Sequence, residues 1–460
     1  MKKILFTMIL IAAFGISINA QDKPDFKQEI KVGGVVFTGW QYNLDNADFI
    51  KTLDSTSLNS GAPFGANPKA NQFETSRNTF YLDRAYINIK ASLTPQITAR
   101  LTPDVYSATD GSGKTQYFTQ MKYANFEYMP VNSDNGMSLS FSFGLIPNKW
   151  IEGIEKYYGY RGIAKTFTDF AWTTNTTLSK NSVTGKPYSV SSSTNSYFSS
   201  ADLGMTTKFS FPQKYADLYV SILNGNGFRY EGADNRFKDI MVTGFIYPLA
   251  GQISKKMDAM KKAKKTRMDG IVDLTLGGFA YIGKQSNGEF GTVNGSAYSS
   301  TFGQHIASNR FGGMINFKYN FEKAGSVKVG GEYSLQSNTV PESVAGGVID
   351  STVNAGGLSG WLEFVPPVES LGDKLSLIFR YDMFNPNTTA GTSAVTDPSY
   401  FQNNGKQTFM LIGLMFKPAN ILTLGLSYQM TGYSQNYVVK YDGTTTSSIN
   451  RLYFNTILDF

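Results

Sequence analysis

Residues 449–460 read Ile-Asn-Arg-Leu-Tyr-Phe-Asn-Thr-Ile-Leu-Asp-Phe. Leu452, Phe454, Thr456, Leu458 and Phe460 fall on one face at period two. Arg451, Tyr453, Asn455 and Asp459 fall on the other, with Ile457 the exception. Period two is the side-chain repeat of an extended strand. The same pattern runs back through the chain. In 372–384, Leu375, Leu377, Phe379, Tyr381 and Met383 oppose Ser376, Arg380 and Asp382. In 137–146, Met137, Leu139, Phe141, Phe143 and Leu145 oppose Ser138, Ser140 and Ser142. These segments are longer than the roughly 5–6 residues usual for soluble strands. They match the roughly 9–11 residues with which a strand crosses a bilayer, apolar towards lipid and polar towards a lumen.

Sixteen such segments are expected: 31–42, 79–93, 95–106, 116–129, 136–146, 201–211, 214–224, 236–248, 270–283, 309–321, 326–337, 356–366, 372–384, 406–417, 420–431 and 448–460. Connections after even segments are short. Those after odd ones are mostly long: 43–78, 147–200, 284–308, 338–355 and 385–405. The expected fold is an all-β, transmembrane antiparallel β-barrel over 31–460, with short periplasmic turns and long extracellular loops. The connection 249–269 breaks the rhythm. Ile253, Met257, Met260 and Lys264 sit there at helical spacing, which predicts a short basic helix.

Lys2-Lys3, the apolar run Ile4–Ile18 and Asn19-Ala20 read as a signal peptide, 1–20, followed by a short periplasmic segment, 21–30. Export to the outer membrane of a Gram-negative cell is therefore expected. The 460 residues carry a net charge of +7. Much of it comes from 255–267, where seven basic residues face only Asp258. A nucleic-acid binder spreads its basic residues over a face, so nucleic acid is not an expected partner. Lipid headgroups or cell-wall material are a candidate partner for this run, against a plain solvated helix.

Cysteine is absent and His305 is the single histidine, so no thiolate or multi-histidine metal centre is available and no cofactor is expected. Ser308 lies near His305, but no Gly-x-Ser-x-Gly elbow accompanies it. The chain is not expected to be an enzyme.

Strand phase points Arg84, Lys90, Arg100, Lys122, Lys208, Arg310, Lys318, Lys328 and Arg380 inward, with Asp104, Asp273, Glu332, Glu363 and Asp382. Charged rings set which ion a pore passes, and this wall has a basic excess. The pore-lining candidates are Arg84, Arg100, Lys122, Lys208 and Arg380. The loop 147–200 carries Lys149, Glu152, Glu155, Lys156, Arg161 and Lys165 among Trp150, Tyr157, Tyr158, Tyr160 and Phe167. A solvated loop has no use for so many rings. Packing against the inner wall would explain them, which makes this the candidate constriction loop; a surface lid is the alternative.

The stretches Phe80-Tyr81-Leu82-Asp83-Arg84-Ala85-Tyr86-Ile87, Gly144-Leu145-Ile146-Pro147, Leu223-Asn224-Gly225-Asn226-Gly227 and Phe379-Arg380-Tyr381-Asp382, with the terminal Phe460, resemble the phosphate-selective porin O and P family. The resemblance implies a sixteen-stranded barrel, a homotrimer, and a third loop narrowing the pore. It also implies an anion site of wall Arg (Arg84, Arg100, Arg380) and loop Lys (Lys149, Lys156, Lys165). Glu152 and Glu155 in the same loop oppose strong phosphate selectivity. The expected function is passive diffusion of small hydrophilic solutes or ions with a mild anion preference. Alternatives are a channel specific for phosphate or another anion, and a closed barrel acting in surface contact.

Overall fold

The computed structural model describes residues 26–45, 47–48, 78–109, 115–180, 187–228, 238–262, 269–286, 292–293, 296–297, 305–344, 347–386, 388, 406–434, 438–440 and 445–460. The expected signal peptide lies outside these residues. So does most of 43–78.

Sixteen strands form one closed antiparallel barrel. They are β1 Glu29–Asn43, β2 Asn78–Ser92, β3 Ile97–Thr109, β4 Thr115–Asn132, β5 Ser138–Pro147, β6 Ala201–Ser210, β7 Ala216–Leu223 and β8 Asp239–Ile246. The second half is β9 Ile271–Ser286, β10 His305–Asn320, β11 Ser326–Val344, β12 Gly347–Val365, β13 Leu375–Asn385, β14 Gln407–Ala419, β15 Leu422–Tyr433 and β16 Ser448–Asp459. Each pairs with its neighbours in sequence, and β1 closes on β16 from Val35↔Asp459 to Asn43↔Arg451. Every expected segment holds one barrel strand.

The phase holds as well. In β13, Leu377, Phe379, Tyr381 and Met383 are exposed on the outside, while Ile378, Arg380, Asp382 and Phe384 are buried. An outward apolar belt is what a lipid-embedded barrel presents. Pro103 lacks the N–H that a ladder needs, and it sits at a register shift between β3 and β4, where that donor is not missed. At the barrel seam Gly34 and Phe460 exchange both backbone bonds, 2.7 and 2.9 Å, and the Phe460 ring stays 61% exposed on the outer face. Phe460→Ser is expected to cost about 1.5–3 kcal/mol of lipid-facing burial. Urea-titrated folding into vesicles would register it; an unchanged midpoint would remove this ring from the lipid face.

Three boundaries differ from expectation. β11 and β12 continue as a paired ribbon to Val344↔Gly347, through what was expected to be the loop 338–355. β9 and β10 likewise run on to Ser286↔His305, so His305 opens a strand instead of lying in a loop. Within 147–200, Trp172–Lys180 and Pro187–Asn195 pair as a hairpin. The cause is common to all three. Past the outward apolar belt both faces of a ribbon are free to meet water, so the alternation of polarity fades while the backbone pairing persists.

The helix expected in 249–269 is present as Ala250–Lys262. Its Lys256 ammonium donates to the carbonyls of Asp269 and Gly270 at the start of β9. Lys264, Lys265 and Arg267 lie outside the described residues.

Candidate functional site

Between β5 and β6 the chain turns into the barrel. Helix α1, Lys149–Tyr158, begins at Asn148, whose side-chain oxygen accepts from Trp150 N (3.0 Å) and Ile151 N (3.2 Å). It ends at Gly159, whose φ of 81° is the left-handed stop that glycine takes freely. Trp150, Ile151, Ile154, Tyr157 and Tyr158 are buried on one side. That spacing, with an Asn cap before it and a Gly after it, was a helix signal that the sequence reading missed.

The buried side packs on the inner wall. The Trp150 ring lies 5.9 Å from Phe245 of β8 and 4.6 Å from Phe279 of β9. Tyr158 meets Trp361 of β12 at 5.8 Å. Gly153 allows the approach, because a Cβ there would stand 2.1 Å from the Phe245 ring. Further along, Phe167 and Trp172 pack on Phe384 of β13, and Phe170 on Phe409 of β14. Burying such a ring stabilises by about 1.5–3 kcal/mol, so the inward placement is fixed by several independent contacts.

Polar bonds fasten the same side. The Glu332 carboxylate of β11 accepts from Phe167 N at 2.8 Å and from the Thr168 hydroxyl at 3.4 Å. Tyr160 Oη and Ser376 Oγ of β13 lie 3.0 Å apart, and Gln429 of β15 donates to the Ile163 carbonyl at 3.2 Å. Lys328 of β11 donates to the Tyr158 carbonyl at 3.1 Å and is paired with Glu363. Arg380 of β13 donates to the Lys165 carbonyl.

Arg380 is therefore placed differently from its expected role. It faces inward, as its phase predicts, but it is 1% exposed beneath the loop and bound by Nε and Nη2 to Asp382. It holds the loop down and does not touch the open lumen. Arg84 is also neutralised. It is paired with Asp104, which takes a further bond from Gln120 Nε2 at 3.0 Å. Lys122 is buried, donates to Tyr86 Oη at 3.1 Å, and lies 4.4 Å from that ring's centre.

Three of the expected residues remain beside water. Arg100 spends Nε on Thr102 Oγ1 and Nη2 on Asn88 Oδ1, both at 3.1 Å, and stacks over Tyr123 at 4.2 Å. Lys208 stands 3.7 Å from Asp217 and remains partly exposed. Lys156 is exposed, with the Tyr157 and Tyr247 rings 5.4 and 5.9 Å away.

Within the loop, Lys149 pairs with Glu152 at 2.8 Å. Arg161 pairs with Glu155 and, at 2.8 Å, with Asp169. Burial works against the charge of Asp169, but the Arg161 guanidinium outweighs it and holds the carboxyl below its ordinary range. Lys165 is half-buried. The loop thus carries its acids and most of its bases as pairs.

Glu152 is the informative residue. Its side chain is 48% exposed although the helix that bears it lies inside the barrel. Confinement works against its charge, but Lys149 outweighs that, Arg100 of β3 and Lys208 of β6 add to it, and the carboxyl is held below its ordinary range. Glu152 therefore meets water between α1 and the β3–β7 wall, with Arg100, Lys208 and Asp217 on the wall opposite. The linkage sign follows. A depressed carboxyl keeps its charge, and the stability that charge contributes, above the ordinary carboxylate range, and loses both as pH falls through the depressed value. Ion selectivity governed by Glu152 is expected to stay flat from about pH 8 to about pH 5 and to become more anionic only in stronger acid. Reversal potentials taken across that range would reveal a rise beginning near neutrality, and such a rise would remove Glu152 from this field.

At the root of the loop, Asp202 of β6 accepts from Gly225 N (3.0 Å) and Gly227 N (3.3 Å) and so fixes the Asn224–Gly227 turn. Both glycines have positive φ, 85° and 72°.

No family model matches the chain, and no curated protein matches it. Among solved structures it is similar to OmpF of Salmonella typhi in complex with daunomycin, with a TM-score of 0.48 and 10% identity over 94% of this chain and 97% of that one. It is similar to an anion-selective porin from Comamonas acidovorans, with a TM-score of 0.47 and 10% identity over 94% and 100%. It is also similar to OprB of Pseudomonas putida at high pH, with a TM-score of 0.47 and 11% identity over 94% of each. These are remote likenesses, and the fold rests on the strand order and closure described above.

Proposed function

We propose that the chain is an outer-membrane porin of a Gram-negative cell, a passive channel for small hydrophilic solutes and ions with a mild anion preference. The observation that carries this is the half-exposed Glu152 within the barrel, facing Arg100 and Lys208 across a wet gap. A closed barrel would bury that carboxylate or pair it on every side. The gap runs between α1 and the β3–β7 wall, because aromatic and polar contacts hold the loop against β8–β15. Arg100 lines it and forms no ion pair among the described residues, which tips the balance towards anions, while Lys156 is exposed on α1 within the field of Asp273 of β9.

The short-turn end faces the periplasm, and the chain assembles as a homotrimer, as the porin resemblance implies. Phosphate specificity is not part of the reading. Of the three wall arginines that the resemblance implies, Arg84 and Arg380 are each neutralised by an Asp, so no ladder of free guanidinium groups remains. Catalysis is not part of the reading.

Single-channel recording of the purified protein in planar bilayers under a KCl gradient tests the proposal. Steady ohmic steps with a small anion-biased reversal potential are expected. A silent but folded protein would turn the reading to a closed barrel that uses its outer loops for contact.

A further inference from the structure

Tyrosine rings stand on both sides of the passage, Tyr123 and Tyr219 on the wall and Tyr157 on α1, each with a cation over or beside it. Arg100 lies 4.2 Å from the centre of Tyr123. Lys208 and Lys149 approach Tyr219 from 5.6 and 5.8 Å. Lys156 stands 5.4 Å from Tyr157. A phosphate site needs several donors converging on one point. Here the cations are spread along the wall and α1, and each is set against a flat ring.

We infer that the passage favours aromatic carboxylates, which stack on the Tyr123 and Tyr219 rings and pair with Arg100. This deepens the porin reading and rests on it.

The geometry at Arg100 is already organised for such a solute. Two of its three nitrogens are tied to Thr102 and Asn88, so the guanidinium is held in place over Tyr123. Nη1 is left for a carboxylate among the described residues. An aromatic solute lying along the bank meets π surface and a cation together, and both attractions act on one rigid molecule without freezing further rotors. Acetate finds the charge but not the ring. Cyclohexanecarboxylate finds the charge and some apolar contact, but has no planar face. Phosphate finds neither a ring partner nor a converging set of donors, so it gains only what a single guanidinium offers. Aromatic–aromatic contacts of this kind correspond to roughly two- to tenfold in affinity.

The test measures block of the chloride current through the full-length protein in planar bilayers. Sodium benzoate, cyclohexanecarboxylate, acetate and inorganic phosphate are titrated at constant ionic strength. Benzoate is expected to block at roughly two- to tenfold lower concentration than cyclohexanecarboxylate, and phosphate at a higher concentration than either. The ratio of the two ring acids should fall to one in the Tyr123→Leu/Tyr219→Leu double variant. It should survive in Tyr123→Phe/Tyr219→Phe, which keeps the rings and confirms that the barrel tolerates change at both positions. Arg100→Gln should weaken block by both ring acids together. Equal block by benzoate and cyclohexanecarboxylate, or tighter block by phosphate, would overturn the inference while leaving the porin intact. An absence of chloride current in folded wild-type protein would overturn the porin reading, and this inference with it.

Discussion

Excision of residues 149–199, joining Asn148 to Ser200, is expected to raise single-channel conductance severalfold and to lower the temperature at which the barrel unfolds. The geometry allows the cut. β5 and β6 stay paired up to Pro147↔Ala201, and Asn148 N already donates to the Ser200 carbonyl at 3.0 Å. A tight turn can therefore replace the loop without moving a strand. Conductance should rise because α1 and the segment after it occupy much of the lumen between β8 and β15. Stability should fall because Phe245, Phe279, Trp361, Phe384 and Phe409 lose their cover and meet water. At about 1.5–3 kcal/mol for each large buried side chain, that loss is substantial. The backbone ladder that closes the barrel is untouched, so the variant should still insert. Bilayer recordings and heat-dependent gel mobility would read the two effects separately. Conductance equal to the parent's would mean that ions do not pass the loop at all.

The second large effect is expected from Arg100→Glu combined with Lys156→Glu. Arg100 lines the gap and Lys156 is exposed on α1, and neither forms an ion pair among the described residues, although Asp273 of β9 lies in the field of Lys156. The change replaces two cations with two anions and leaves Glu152 without an opposing charge at Arg100. Selectivity is expected to invert from anions to cations in a KCl gradient. Salt should reduce the inversion, since screening shortens the reach of charges facing water. Arg380→Glu is the informative contrast. That site is buried against Asp382, and an uncompensated buried charge costs about 3–5 kcal/mol. Its effect should appear in folding yield, with little effect on selectivity in whatever protein folds. A reversal potential that shifts with Arg380→Glu and not with the Arg100/Lys156 pair would mean that the open side of the lumen has been assigned to the wrong wall.

The contrast between these arginines shows what was legible in the sequence. Alternation placed all sixteen strands and set the inward phase of Arg84, Arg100 and Arg380 alike. Phase says which way a side chain points; it does not say what comes to meet it. Arg84 is neutralised because register brings it opposite Tyr106 of β3, two residues beyond Asp104, so that the carboxylate lies diagonally across the strand pair. Arg380 is buried because a segment more than two hundred residues earlier lies on it. Neither fact is periodic. The rings in 147–200 did announce that the loop packs inward, because aromatic side chains need an apolar partner wherever they end up. Which wall receives them depends on the glycines and large side chains of the opposite strands. Gly357 of β12 is one example, where a Cβ would stand 2.1 Å from the Phe167 ring.

The loop's fastenings also set an order of events. The loop leaves the barrel after β5, yet beyond the rings of β8, β9, β12 and β14 its polar partners are in β11, β13 and β15. The Arg380 bond to Lys165 spans 215 positions and the Gln429 bond to Ile163 spans 266. Contacts this distant along the chain form late, because the intervening segments must first be placed. Until β13 and β14 are placed, the loop is therefore only partly seated, and Phe167, Phe170 and Trp172 lack their Phe384 and Phe409 partners. The lumen narrows only when the C-terminal strands arrive. A chain stalled before β13 is then a wide, sticky intermediate, the species most in need of a holding chaperone.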